Sequence, residues 1–173
     1  MIRILLSTAL LACPAVAFAN AEAPTRQTPT SQSCADGKIW NAATKTCVDA
    51  QDSRFRDSDR LDAARELAVA GRDAAAALVL SALAAPDNPD ALATRGFAAR
   101  KAGAVTQGVA LYERALAQAP DHWMTLGYYG QHLAEIGDLE GAETLLMRIR
   151  ASGGRGTWPE IALTRALAGD TVY

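Results

Sequence analysis

The chain has 173 residues, of which 50% are hydrophobic and 21% are charged, a composition typical of a globular protein with one modest core. Its formal net charge of -2 supplies no basic surface of the kind that binds the phosphate backbone. The composition therefore argues against a nucleic-acid partner.

Residues 1–19 predict a cleaved export signal. Arg3 precedes an apolar run, and Ala17 and Ala19 form the A-x-A pattern of a cleavage site. The run is broken by Pro14 and is shorter than the ~20 residues that cross a bilayer. The segment LLAC, which ends at Cys13, also resembles the lipobox of bacterial lipoproteins. We expect a periplasmic protein, with lipid anchoring at Cys13 or full secretion as the alternatives, and membrane contact only if Cys13 is lipidated.

Residues 20–33 are predicted to be a disordered tether, because they contain no aliphatic side chain larger than alanine to offset the entropy of ordering. The next segment, residues 34–50, contains Cys34 and Cys47. After removal of the signal the cysteine count is even, which in an exported protein predicts a disulfide. A metal site lacks further thiol ligands, and a redox site lacks the C-x-x-C spacing. We expect a stapled loop in which GKIWN and TCV form short strands joined by AATK.

Trp40 lies between the two cysteines. The spacing C-x2-G-x2-W-N-x5-C over residues 34–47 resembles the start of the peritrophin-type chitin-binding module, although the further cysteines of that module are missing. The resemblance implies that Trp40 is a candidate for stacking on a glycan. Packing of Trp40 against the disulfide is the alternative.

An internal repeat with a period of 34 residues begins after a charged linker. Each unit contains two helical stretches with a glycine turn between them, and proline follows the second stretch in two of the units. The first unit is shorter between its glycine and its proline, which predicts a shortened second helix. Gly96, Gly108, Gly130, Ala76 and Ala142 are expected where helix backbones approach closely. The matched positions are Leu92 and Leu126, Gly96 and Gly130, Gly103 and Gly137, Val105 and Leu139, and Tyr112 and Leu146.

This pattern resembles the tetratricopeptide repeat, with its W-x2-L-G-x2-Y, A-x3-F and P positions, and the match is good in LATRGFAARKAGAVTQGVALYERALAQAP. The chain is identified as an exported bacterial member of that family. The resemblance implies an all-α fold in residues 57–173, a short solenoid of about three helical hairpins. A C-terminal capping helix begins at Trp158, and the small disulfide-stapled loop precedes the array.

Tetratricopeptide arrays hold a peptide or a partner helix in a concave groove lined by the first helix of each unit. The resemblance therefore implies a non-enzymatic adaptor whose partner is another protein, with cell-wall glycan binding through residues 34–47 as the alternative. Packing between helices is the alternative role for the apolar groove positions. The positions that the resemblance assigns to the groove are Arg65, Phe97, Arg100, Lys101, Met124, Tyr128 and Gln131.

We find no recognisable catalytic motif in the sequence. His122 and His132 do not have the i, i+4 spacing of a zinc pair, and GGRG at residues 153–156 lacks the context of a phosphate-binding loop. The acidic residues Glu135, Glu140 and Glu143 are expected on a solvated helix face. We predict neither an enzyme nor a cofactor.

Overall fold

The chain is described here from a computed structural model that covers residues 25–170 and 173. The predicted signal at residues 1–19 and the alternative lipidation site at Cys13 lie outside the described residues. No helix in the described part is long and apolar enough to cross a membrane. The elements in chain order are α1 (Pro29–Gln32), β1 (Lys38–Asn41), β2 (Thr46–Asp49), α2 (Asp57–Val69), α3 (Asp73–Ser81), α4 (Pro89–Lys101), α5 (Val105–Gln118), α6 (Trp123–Glu135), α7 (Leu139–Ala151) and α8 (Trp158–Leu167).

Three helical hairpins form the body of the molecule. Helix α2 packs on α3, α4 packs on α5, and α6 packs on α7, while α8 covers both α6 and α7. The first helices are also neighbours, since α4 contacts both α2 and α6. The predicted all-α array of three hairpins and a capping helix is confirmed. The first hairpin is short as predicted, because α3 has 9 residues whereas α5 has 14.

Glycine ends the first helix of every hairpin at the same place. Gly71, Gly103 and Gly137 have φ angles of 71°, 84° and 85°, a left-handed conformation that costs residues with a β-carbon free energy. Gly103 and Gly137 are 34 residues apart, and Gly71 lies 32 residues before Gly103, so the repeat reflects one local requirement in each unit: the chain must reverse between two packed helices.

Small residues allow the helices of the second hairpin to approach closely. A β-carbon added to Gly96 would lie 2.6 Å from Cε1 of the buried Tyr112, and one added to Gly108 would lie 2.8 Å from the Gly96 carbonyl oxygen. In the third unit, a β-carbon on Gly130 would lie 2.5 Å from Cδ2 of Leu163 in the capping helix. The close approaches expected at these three glycines are present.

We expect Gly96→Ala to lower the free energy of unfolding by about 1 to 3 kcal/mol, because the added methyl overpacks the contact with Tyr112. Helix propensity alone predicts the opposite sign, a gain of roughly 0.5 to 1 kcal/mol. Urea unfolding of the purified chain measures the difference. As a control, Gln107→Ala at an exposed site on α5 should change stability by less than about 0.5 kcal/mol. A stabilised Gly96→Ala variant would contradict the packing account.

The two strands form an antiparallel hairpin in which Trp40 lies opposite Cys47. The sulfur atoms of Cys34 and Cys47 are 2.02 Å apart, so the hairpin is closed by a disulfide. Ile39 of the hairpin is 4% exposed and belongs to the same apolar cluster as Ala63 of α2. The stapled loop is therefore packed on the first unit of the array.

Part of the predicted tether is instead folded. Helix α1 is docked on α2 through Glu66, whose carboxylate accepts hydrogen bonds from the backbone N–H of Thr28 at 2.6 Å and of Ser31 at 3.0 Å. Arg72 also donates to the Thr30 carbonyl oxygen at 3.0 Å. The apolar content of residues 20–33 gave no sign of this, because polar contacts to the buried Glu66 hold the turn.

Candidate functional site

The first helices of the three hairpins, α2, α4 and α6, present a shared surface that we call the first-helix face. Arg65 of α2 donates to the Thr94 hydroxyl of α4 at 3.0 Å. Phe97 of α4 stacks on Tyr128 of α6, with the ring centroids 4.6 Å apart. These contacts bring side chains from all three units onto one face.

Most of the predicted groove residues are buried in this face. Phe97, Met124 and Tyr128 are 1%, 4% and 5% exposed and belong to one apolar cluster, so they have the packing role that was the alternative to an open groove. Arg65 is also buried, and its guanidinium pairs with the carboxylate of Asp62 as well as with Thr94. The accessible part of the face therefore consists of other side chains, among them Asp62.

Arg100 and Lys101 occupy the edge of the face at the C-terminal end of α4. Arg100 is buried, whereas Lys101 is exposed. The Arg100 guanidinium forms an ion pair with Glu135 of α6, and the ring of Tyr173 lies beside both cations. Glu135 is therefore a paired group, not one of the purely solvated acids expected from the sequence.

Tyr173 was not singled out by the sequence, yet it contacts Phe97, Arg100, Lys101 and Glu135. Its ring centroid is 5.2 Å from that of Phe97, and its hydroxyl accepts a hydrogen bond from Arg100 Nη2 at 3.1 Å and donates one to the Glu135 carboxylate. Burial and the hydrogen bond to Glu135 raise the pKa of Tyr173 to about 12. Its phenol is therefore protonated at neutral pH.

Gln131 completes the predicted set. It is 1% exposed, and its side-chain oxygen has no hydrogen-bond partner among the described residues; the same holds for Nε of Arg100. Buried polar atoms are normally paired, so these two atoms are exceptions in the described part of the chain.

A cavity of about 750 Å³ lies between the stapled hairpin and α2. It joins the two surfaces that the sequence suggested separately, because Trp40 of the hairpin and Arg65 of the first-helix face both line it. Trp40 is half-buried, which is intermediate between the exposed and the packed alternatives. The lining of the cavity includes Trp40, Asn41, Phe55, Asp62, Arg65 and Glu66.

The two histidines lie apart from this cavity. His122 contacts the Thr125 hydroxyl at 2.7 Å and the Asp90 carboxylate at 2.9 Å, so it connects α6 to α4. Burial lowers the pKa of His132. Within residues 25–170 and 173, no group of His, Cys, Asp and Glu side chains has an arrangement suited to a metal ion.

Comparison with known proteins agrees with the architecture. A family model described as tetratricopeptide repeat matches residues 99–167, a span that runs from the end of α4 to the end of α8. No curated protein and no solved structure matches the chain. The matched span contains the glycine turns at Gly103 and Gly137 and the helices α5 to α8, whereas α2, α3 and most of α4 lie upstream of it. The match supports a protein of the tetratricopeptide repeat type over residues 99–167.

Proposed function

We propose that this protein is a non-enzymatic adaptor of the bacterial cell envelope, exported to the periplasm, that binds a peptide or a helix of a partner protein on its first-helix face. Tetratricopeptide repeats generally mediate protein–protein interactions and typically serve as scaffolds without catalysis. The proposal adds the compartment and the binding surface to that general role.

The cavity between Trp40 and Arg65 is the observation that carries the proposed binding surface. Its volume of about 750 Å³ is sufficient for several side chains of a ligand. An indole and a phenyl ring, from Trp40 and Phe55, lie among carboxylates and guanidinium groups in its lining. Such a mixture provides apolar area for affinity and polar groups for orientation, which suits a peptide.

Two features support export. The A-x-A pattern that ends at Ala19 follows an apolar run, as in secretory signals. The Cys34–Cys47 disulfide is the kind of bond that persists in oxidising compartments such as the periplasm. Lipid anchoring at Cys13 remains the alternative form of the same location.

Glycan binding through Trp40 is the second candidate function. It is favoured by the position of Trp40, whose partly exposed ring lines a cavity together with the amide of Asn41. Aromatic rings with neighbouring hydrogen-bonding groups are suited to the faces and hydroxyls of sugars. This candidate uses only the hairpin end of the cavity and makes no use of α4.

Affinity capture from cell-envelope extract tests the proposed function. We expect the wild-type chain to retain a specific partner that is depleted at least about tenfold with Trp40→Ala/Lys101→Glu, a loss of roughly 1.4 kcal/mol or more. This double variant alters the hairpin wall of the cavity and the α4 edge of the first-helix face. Met147→Ala, at an exposed site on the second-helix side, is the matched control and should retain the partner. Equal capture by all three proteins would contradict binding on the first-helix face.

Sedimentation with insoluble peptidoglycan and with chitin separates the second candidate. If wild type and Lys101→Glu sediment equally while Trp40→Ala stays in solution, the hairpin is a glycan-binding element and the adaptor proposal loses its support. Circular dichroism of each variant checks that the helical content is unchanged.

A further inference from the structure

The side chain of Tyr173 occupies a socket on the first-helix face that is built from α4 and α6. The socket consists of Phe97, Arg100, Lys101 and Glu135. Lys101 Nζ is 4.5 Å from the Tyr173 ring centroid, and the Arg100 guanidinium carbon is 5.5 Å from it. With the Phe97 ring at 5.2 Å, the phenol ring meets one aromatic and two cationic side chains.

The chemistry of the socket matches a phenol in two separate ways. Aromatic pairs and cation–ring contacts both favour a flat electron-rich ring. At its far end, the hydroxyl finds a donor in Arg100 and an acceptor in Glu135. An aliphatic side chain would lose the ring contacts, and a phenylalanine would leave the two hydrogen-bonding groups without the hydroxyl.

The walls of the socket have their own support besides Tyr173. Phe97 is held by its stack on Tyr128, and Arg100 is held by its ion pair with Glu135. Both Phe97 and Arg100 are more than nine-tenths buried. The site is therefore largely formed by α4 and α6, and Tyr173 adds a side chain to it.

Two buried polar atoms on α4 and α6 lack hydrogen-bond partners in the described part of the chain. Nε of Arg100 has no hydrogen-bond partner among the described residues, nor has the side-chain oxygen of Gln131. Gln131 lies on the same face of α6 as Tyr128 and Glu135, since the three are spaced at i, i+3 and i+7.

We propose that this socket is a recognition subsite for a tyrosine side chain of a partner peptide, and that Tyr173 of the chain itself occupies it until the partner displaces it. The inference rests on the proposed function, because it specifies which side chain the first-helix face accepts. A subsite that is filled by its own chain has an apparent affinity lowered by the fraction of molecules in which it is open. Tyr173 is thus an internal competitor.

A peptide with the sequence of residues 168–173, AGDTVY, acetylated and amidated, is the probe. It is titrated into the ¹⁵N-labelled chain, and the amide signals of α4 and α6 are followed by NMR. We expect the dissociation constant to be about 3- to 10-fold lower for Tyr173→Ala than for wild type, because the internal competitor is removed. The same shifts should appear at Lys101 and Glu135 in both proteins.

Two further peptides test the chemistry. The peptide that ends in phenylalanine should bind Tyr173→Ala about fivefold more weakly than AGDTVY, since it cannot pair with Arg100 and Glu135. The peptide that ends in alanine should produce no shifts in α4 or α6. In the Tyr173→Phe variant of the chain, the side chain at position 173 should compete with AGDTVY less strongly than Tyr173 does in the wild type.

Absence of AGDTVY binding to Tyr173→Ala would overturn the inference, as would equal binding to wild type and Tyr173→Ala or equal binding of the three peptides. These failures differ from failure of the proposed function. Should a captured partner depend on the first-helix face yet bind wild type and Tyr173→Ala equally, the adaptor role stands and the tyrosine subsite falls. Should the peptide bind as expected while the capture gives no face-dependent partner, the adaptor role falls.

Discussion

Phe97→Ala should lower the free energy of unfolding by about 3 to 5 kcal/mol. Phe97 is 1% exposed and stacks on Tyr128, so truncation removes a buried ring and leaves a cavity between α4 and α6. The measurement is urea or thermal unfolding followed by circular dichroism. This is the effect expected of a core residue, whereas a residue that only lines an open groove would cost little stability.

Met147→Ala is the matched control for this prediction, because Met147 is 60% exposed on α7 and should change stability by less than about 0.5 kcal/mol. If Phe97→Ala were as stable as Met147→Ala, the close packing of α4 on α6 would be contradicted. The prediction also has a practical consequence: binding studies should alter Lys101 or Trp40, since loss of binding by Phe97→Ala would not distinguish recognition from unfolding.

Cys34→Ser/Cys47→Ser is expected to destabilise the stapled hairpin by roughly 3 kcal/mol, the chain-entropy value for a closed loop of about 15 residues. The hairpin has two short strands and is too small to be stable alone. Because Ile39 packs with Ala63 of α2, loss of the hairpin should also loosen the first unit. Hydrogen exchange of the β1 and α2 amides, together with the thermal midpoint, measures both effects.

Reduction of the wild-type chain provides the control for the staple. Dithiothreitol should lower the midpoint of the wild type to that of the double serine variant and leave the variant itself unchanged. A wild type that is equally stable with and without reductant would show that the docking of Ile39, and not the disulfide, holds the hairpin.

The repeat architecture was predictable because each unit must solve the same local problem. The glycine turn at Gly103 and the small residue at Gly96 are required by backbone conformation and by close approach, and such requirements leave a periodic trace in the sequence. The stapled hairpin was predictable for a similar reason, since the even cysteine count and the short segments GKIWN and TCV on either side of AATK are local signals.

The contacts made across the chain were not predictable in this way. The contact of Tyr173 with its socket depends on where the chain after α8 lies relative to α4. No local sequence pattern encodes that position. The docking of α1 depends on Glu66, which reads as an ordinary helix-surface acid but is buried and accepts backbone N–H groups. The cavity that joins Trp40 to Arg65 likewise exists only after the hairpin has packed on α2.

Which residues of the first-helix face are exposed also could not be predicted from the sequence. Helical periodicity places Phe97, Tyr128 and Lys101 of α4 and α6 on similar sides of their helices, but it does not distinguish an open groove from a packed contact. The ring stack between the two aromatic residues makes that distinction. The exposed side chains of this face include Asp62 and Lys101, beside the cavity lined by Trp40 and the Tyr173 socket, respectively.

Site-specific photocrosslinking in cell-envelope extract is the most direct test of a partner-binding first-helix face. A photoreactive amino acid is placed singly at the exposed sites Asp62 and Lys101 on that face, and at Leu78 and Met147 on the second-helix side. We predict that the first two positions form a crosslink to the same protein partner and that the last two do not. Crosslinks from Leu78 and Met147, with none from Asp62 and Lys101, would contradict the account.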